Sequence, residues 1–92
     1  MQILLTESFQ RDISSLSQEE LSQLLKVVLK IPTALKTPHT HSGLGLRKLH
    51  SSGIYEARMG LGLRIVFGIQ SKMLIFHRVG NHDEVQRYLK SL

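Results

Sequence analysis

Ninety-two residues, 41% hydrophobic and 21% charged, suit one globular domain with a modest core and argue against disorder. No apolar run approaches the ~20 residues of a membrane span; no secretion leader is recognised, and the absence of cysteine excludes disulfides, thiolate chemistry and cysteine zinc sites. A formal charge of +5 and a pI near 10 favour a polyanionic partner, nucleic acid or an acidic protein segment, with the cytoplasm as the default setting.

Gln2 to Thr6 is short and apolar enough for a strand, and Thr6 is placed to cap a first helix over Glu7 to Ser15 with Phe9 and Ile13 inward. Ser17-Gln-Glu-Glu20 has the capping-box pattern and opens a second helix. Leu21, Leu24, Leu25, Val28 and Leu29 recur at helical spacing as its core face, with Glu20, Gln23, Lys26 and Lys30 outward, until Pro32 stops the run. Two antiparallel helices over a sheet are expected. Residues 32 to 45 hold both prolines and no periodicity, and read as a loop. Leu46 to His50 is a strand, Ser51-Ser52-Gly53 a turn.

Tyr55 to Phe67 reads as a β-hairpin. Tyr55, Ala57 and Met59 alternate with Glu56 and Arg58, and Leu63, Ile65 and Phe67 alternate about Arg64. A three-residue turn at Gly60, Leu61 and Gly62 sets Met59 opposite Leu63 and Arg58 opposite Arg64. Gly68 to Lys72 turns the chain again, and the nearly unbroken apolar run Met73 to Val79 predicts a central strand covered on both faces. Asn81, with Glu84 three residues on, caps a last helix through Val85, Tyr88 and Leu89. The order β-α-α-β-β-β-β-α makes an α+β fold, a small, mainly antiparallel sheet of four to five strands packed by two N-terminal helices and one C-terminal helix.

Two arginines facing each other across a hairpin repel. Such a pair is a solvated surface feature, a dock for a carboxylate, or a site for an anion such as phosphate. With His82 just past the last strand, Arg58 and Arg64 make a minimum set for cleaving RNA through attack of its 2′-hydroxyl. His82 or Glu56 would be the base, and the arginines would stabilise phosphorane-like charge. That route needs no metal. Glu56 equally suits neutralising a neighbouring arginine, His77 suits a strand histidine, and Tyr88 suits either packing or the site. His39 and His41 form no ligand set without a third partner. Gly60, Gly62 and Gly68 match no phosphate-cradling loop before a helix, so no cofactor is expected.

Leu46-Arg-Lys-Leu49, Ile54-Tyr-Glu-Ala-Arg-Met59, Leu63-Arg-Ile-Val-Phe67, and Leu74 to Val79 followed by Gly80-Asn-His-Asp-Glu-Val85 together resemble the RelE/ParE toxin superfamily over nearly the whole chain. The resemblance implies a RelE-like microbial ribonuclease-type fold and a toxin of a type II toxin-antitoxin system, silenced by a cognate antitoxin in a hetero-oligomer. The RelE branch implies metal-independent cleavage of messenger RNA in the ribosomal A site. The alternatives are a ParE-like inhibitor of DNA gyrase and a catalytically silent, antitoxin-binding relative. Arg64 matches the family's strand arginine. Glu56 and Arg58 stand where RelE uses lysines, closer to the glutamate, arginine and late histidine of YoeB-like toxins, and His82 stands where relatives place a histidine or arginine. Gln86 replaces a tyrosine common in relatives, leaving Tyr88 as the nearest aromatic. Arg47, Lys48, Arg78, Arg87 and Tyr88 complete the expected RNA-binding set.

Overall fold

A computed structural model describes residues 2–36, 46–50 and 53–92. Its elements are β1 (Gln2–Leu5), α1 (Glu7–Ser14), α2 (Gln18–Lys36), β2 (Arg47–His50), β3 (Ile54–Gly60), β4 (Leu63–Gln70), β5 (Met73–Asn81) and α3 (His82–Lys90). The order of elements is the one the sequence predicts. The strands form one mixed sheet in the order β1-β5-β4-β3-β2, with β1 parallel to β5 and all other neighbours antiparallel. β5 is interior, flanked by β1 and β4, but the middle strand is β4. Among the described residues no helix is long and apolar enough to cross a membrane. The expected loop with His39 and His41, and the turn at Ser51 and Ser52, lie outside the described residues.

Strand alternation divides the sheet into two faces. On one, Phe9 of α1 and Leu24, Val27 and Ile31 of α2 pack on Ala57, Met59, Ile65, Phe67, Leu74, Phe76 and Val79, all at most 6% exposed. On the other, Val85 of α3 packs on Ile54 and Val66, joined by Leu49, Tyr88 and Leu89. Glu56, Arg58 and Arg64 share this second face, because Glu56 pairs with Val66 and Arg58 with Arg64.

Local signals account for the helix starts. Thr6 accepts from the Phe9 N–H at 3.1 Å. The Glu20 N–H donates to Ser17 Oγ while the Ser17 N–H donates to Glu20 Oε1, and Asn81 and Glu84 make the same reciprocal pair, both bonds 2.9 Å. Gly80 lets that box close on the sheet, since a Cβ there would lie 3.0 Å from Glu84 Cβ and Oε1.

Several expectations are corrected. α2 does not stop at Pro32 but runs through it to Lys36. The ring removes one helical hydrogen bond and disfavours helical angles at the preceding residue, and the complete burial of Ile31 at that position holds the backbone on the sheet. The inward stripe of α2 is Leu24, Val27 and Ile31, while Leu21, Leu25 and Leu29 are 37%, 55% and 77% exposed. A helix with leucines around much of its circumference offers two plausible stripes, and the sheet selects one. The hairpin turn has two central residues, Leu61 and Gly62, both at positive φ as a type I′ turn requires. Gly60 pairs with Leu63, and a register shift between Arg58 and Gly60 restores the Arg58–Arg64 pairing, so Met59 does not face Leu63. β4 continues through Gly68 to Gln70, and the turn is confined to Ser71 and Lys72. Gly68 belongs to the strand because His77 crosses it, with Nε2 at 3.0 Å from where a Cβ would stand.

That crossing comes from a bulge: β4 residues Val66 and Phe67 pair with Arg78 and Phe76, leaving His77 as the extra residue. β1 ends opposite Phe76 while β5 continues to Asn81. Beyond that point α1 supplies partners. Thr6 Oγ1 donates to the His77 carbonyl at 3.0 Å, and the Asp12 carboxylate accepts from the Val79 N–H at 3.0 Å and from Arg78 Nε and Nη2 at 2.7 and 3.1 Å. Replacing Asp12 with Ala removes three charge-assisted bonds and should lower unfolding free energy by about 2–3 kcal/mol, read from urea midpoints at constant slope.

Candidate functional site

The sheet face under α3 is only partly roofed. α3 starts at the end of β5 and packs Val85, Tyr88 and Leu89 over Ile54, Val66 and Leu49, while Arg58 and Arg64 lie at the hairpin end of the same face. Arg58, Arg64 and His82, the first residue of α3, line one cavity of about 700 Å³ at the hairpin end of the sheet, which also touches Val27 of α2, Met59, Gly60, Gly62 and Leu63 and so reaches the edge of the opposite face. The expected convergence of the two arginines with the late histidine is therefore present. A hairpin sets the arginines side by side, and the Asn81 cap fixes the turn that carries His82 to the rim.

Glu56 alters the picture of two partnerless arginines. It is 3% exposed, the sole charged residue among the buried ones described, and its Oε1 lies 2.9 Å from Arg64 Nη1 and 3.2 Å from Arg47 Nη2. The docked-carboxylate reading thus applies to Arg64. Among the described residues Arg58 makes no ion pair, and it is exposed. Arg47 reaches Glu56 from the edge strand because the two residues are paired in register, and its side chain stays 63% exposed. A second cavity, of about 370 Å³, is lined by Leu46, Arg47, Glu56, Arg58 and Arg64.

The remaining candidates are elsewhere. Lys48 is exposed and pairs with Tyr55, which puts it on the opposite face from Arg47. Arg87 is exposed on α3. Arg78 forms the bidentate pair with Asp12, a residue that no sequence motif singles out, and its guanidinium carbon lies 5.9 Å from the centre of the Tyr88 ring. Tyr88 is half-buried, with its ring 6.3 Å from that of His77. His77, Arg78 and Tyr88 thus form a cluster between β5 and α3, and none of the three lines either of the two cavities just described.

Burial and charge tune this cluster. The hydrogen bond to Asp12 raises the Arg78 pKa, burial raises that of the Tyr88 phenol, and burial lowers that of His77 below the ordinary 6.5. With its folded value depressed, His77 is protonated first in the unfolded chain, so its contribution to stability is intact above pH 6.5 and is lost as pH falls through the lowered folded value. His77→Gln should flatten the decline of stability on acidification below pH 6.5, read as a smaller shift in urea midpoint between neutral and mildly acidic buffer.

No protein-family model and no curated protein matches the sequence. Solved structures match its fold. A mutant toxin from Helicobacter pylori, determined with copper bound, superposes with a TM-score of 0.70 at 22% identity, covering 92% of this chain and 98% of that one. The RelB-RelE antitoxin-toxin complex from Methanococcus jannaschii gives 0.65 at 17% identity, covering 92% and 96%. The DinJ-YafQ complex from E. coli gives 0.65 at 21%, covering 90% and 94%. The chain has the RelE-like toxin fold.

Proposed function

We propose that this chain is the toxin of a type II toxin-antitoxin pair and acts as a ribosome-dependent endoribonuclease, cutting messenger RNA in the A site and so inhibiting translation. The observation that carries the reading is the single cavity lined by Arg58, Arg64 and His82 on a RelE-like fold. Two of the matched structures are toxins with their antitoxins, RelB and DinJ, and a formal charge of +5 suits both RNA and an acidic antitoxin.

The chemistry starts with the RNA's own 2′-hydroxyl. A base takes its proton, the 2′-oxygen bonds to the adjacent phosphorus, and the bond from phosphorus to the 5′-oxygen breaks. The products are a 2′,3′-cyclic phosphate and a 5′-hydroxyl, and because the nucleophile is internal this reaction class needs no metal ion. His82 is the base in this scheme, being exposed at the cavity rim and of the residue type that exchanges protons near neutral pH. Glu56 is a positioning residue. Its side chain is buried and its Oε1 lies against two guanidinium groups, which holds Arg64 in place. Arg64 stabilises charge on the phosphorane-like transition state. Arg58 supports the leaving 5′-oxygen with its charge and N–H groups, while solvent supplies the proton.

Primer extension on messenger RNA from cells expressing the chain should show cuts within translated codons. His82→Ala should lower cleavage by roughly 10²–10⁴-fold and Arg64→Ala by about 10²-fold or more. The melting temperature of His82→Ala should match that of the parent, since the side chain is exposed. Full cleavage by Arg64→Ala would remove that residue from the mechanism. Uncut messages together with collapsing DNA supercoiling would replace the ribonuclease reading with gyrase inhibition.

A further inference from the structure

We propose that the cavity bounded by Arg47, Glu56, Arg58 and Arg64 is a second phosphate subsite, which holds the phosphodiester next to the scissile one on a single RNA strand. The inference rests on the reading of the chain as an RNA-cleaving protein and specifies how that site grips its substrate.

The two cavities share a wall. Arg58 and Arg64 line both, with His82 contributing only to the larger and Arg47 and Glu56 only to the smaller. A ligand that fills both must present anionic groups in tandem, which is the repeat of a nucleic acid backbone. Three guanidinium charges against one carboxylate leave the smaller cavity at +2, so Glu56 does not cancel its attraction for an anion. The carboxylate instead prepares the site. It tethers Arg47 at 3.2 Å and Arg64 at 2.9 Å through the same oxygen, restricting two flexible side chains before any ligand arrives and reducing the ordering cost of binding. Arg47 keeps most of its side chain exposed, and a guanidinium carries N–H donors in the fork geometry that suits a bidentate contact with phosphate. Lys48, its neighbour on the same strand, faces the other way and serves as an internal control.

The test uses fluorescently labelled DNA oligonucleotides, which lack the 2′-hydroxyl and cannot be cleaved, in polarisation titrations at low salt. Between a dinucleotide with one phosphodiester and a trinucleotide with two, the unmodified protein should gain roughly tenfold in affinity, the scale of one added charge-assisted contact. Arg47→Gln should lose that gain and Lys48→Gln should keep it. For a longer strand, the slope of log affinity against log salt should be shallower by about 0.7 in Arg47→Gln, the value for one phosphate on single-stranded nucleic acid.

A tenfold gain that persists in Arg47→Gln, or that is absent from the unmodified protein, would overturn the subsite. So would an acidic peptide of matched charge that displaces the trinucleotide as effectively as an unlabelled trinucleotide does, which would assign this face to an acidic protein segment. Loss of messenger cleavage alongside a retained Arg47-dependent gain would remove the proposed catalytic function and leave the subsite. Cleavage without the gain would do the reverse.

Discussion

A carboxylate with 3% exposure in a sheet face is stable only if its charge is met on the spot, and Glu56 meets two guanidinium groups through one oxygen. Removing ions from water costs several kcal/mol per ion, recovered only where geometry and hydrogen bonding are good. That constraint governs the surrounding structure. Arg64 must come from the neighbouring strand in the correct register, and Arg47 must reach in from the sheet edge. Arg58, directly across from Arg64, is left with a like charge as its closest cross-strand neighbour and no counter-ion among the described residues. An electropositive face with one unsatisfied arginine follows from how the buried carboxylate divides its contacts.

The helix that covers this face stops short of it for equally local reasons. α3 begins where β5 ends, and its reciprocal Asn81–Glu84 cap closes on a glycine because any side chain at position 80 would strike Glu84. The helix then packs Val85 and Leu89 over the Ile54 and Val66 end of the face. The hairpin end stays uncovered, with His82 at its border. On the opposite face, α1 and α2 bury the apolar alternates of the same strands, so the charged alternates of the hairpin are not part of that core. Both faces of the sheet carry a core cluster, and the two arginines lie where the cover of α3 ends.

Much of this was legible from residues alone where the signal is short-range. The caps at Thr6, Ser17 and Asn81, the alternation along the hairpin and the order of elements all depend on neighbours within four residues, and all appear in the structure. The cases that departed depend on contacts made at a distance. Pro32 should end a helix by its local chemistry, yet Ile31 is anchored in a core that the sequence does not display. The leucines of α2 allow two stripes, and only docking on the sheet, at β3, picks Leu24, Val27 and Ile31. The bulge at His77 cannot be inferred from a continuous apolar run, since it exists only in the pairing of Arg78 and Phe76 with Val66 and Phe67 on the partner strand.

For the candidate site, the sequence by itself determined which side chains share a face, because strand alternation has a period of two along each arm of the hairpin, while the two-residue turn and the register shift beside it came only from the structure. It also placed His82 after the last strand. Only the tertiary structure decided what each charge does. Glu56 became a buried clasp, since burial and two-sided pairing depend on how three strands align; Arg78 was drawn to Asp12 on α1, sixty-six residues away in sequence; and Arg47 joined the site, while its neighbour Lys48 did not, through the pairing of an edge strand. Patterns in one dimension report direction and periodicity, whereas electrostatic partnership depends on distance in three.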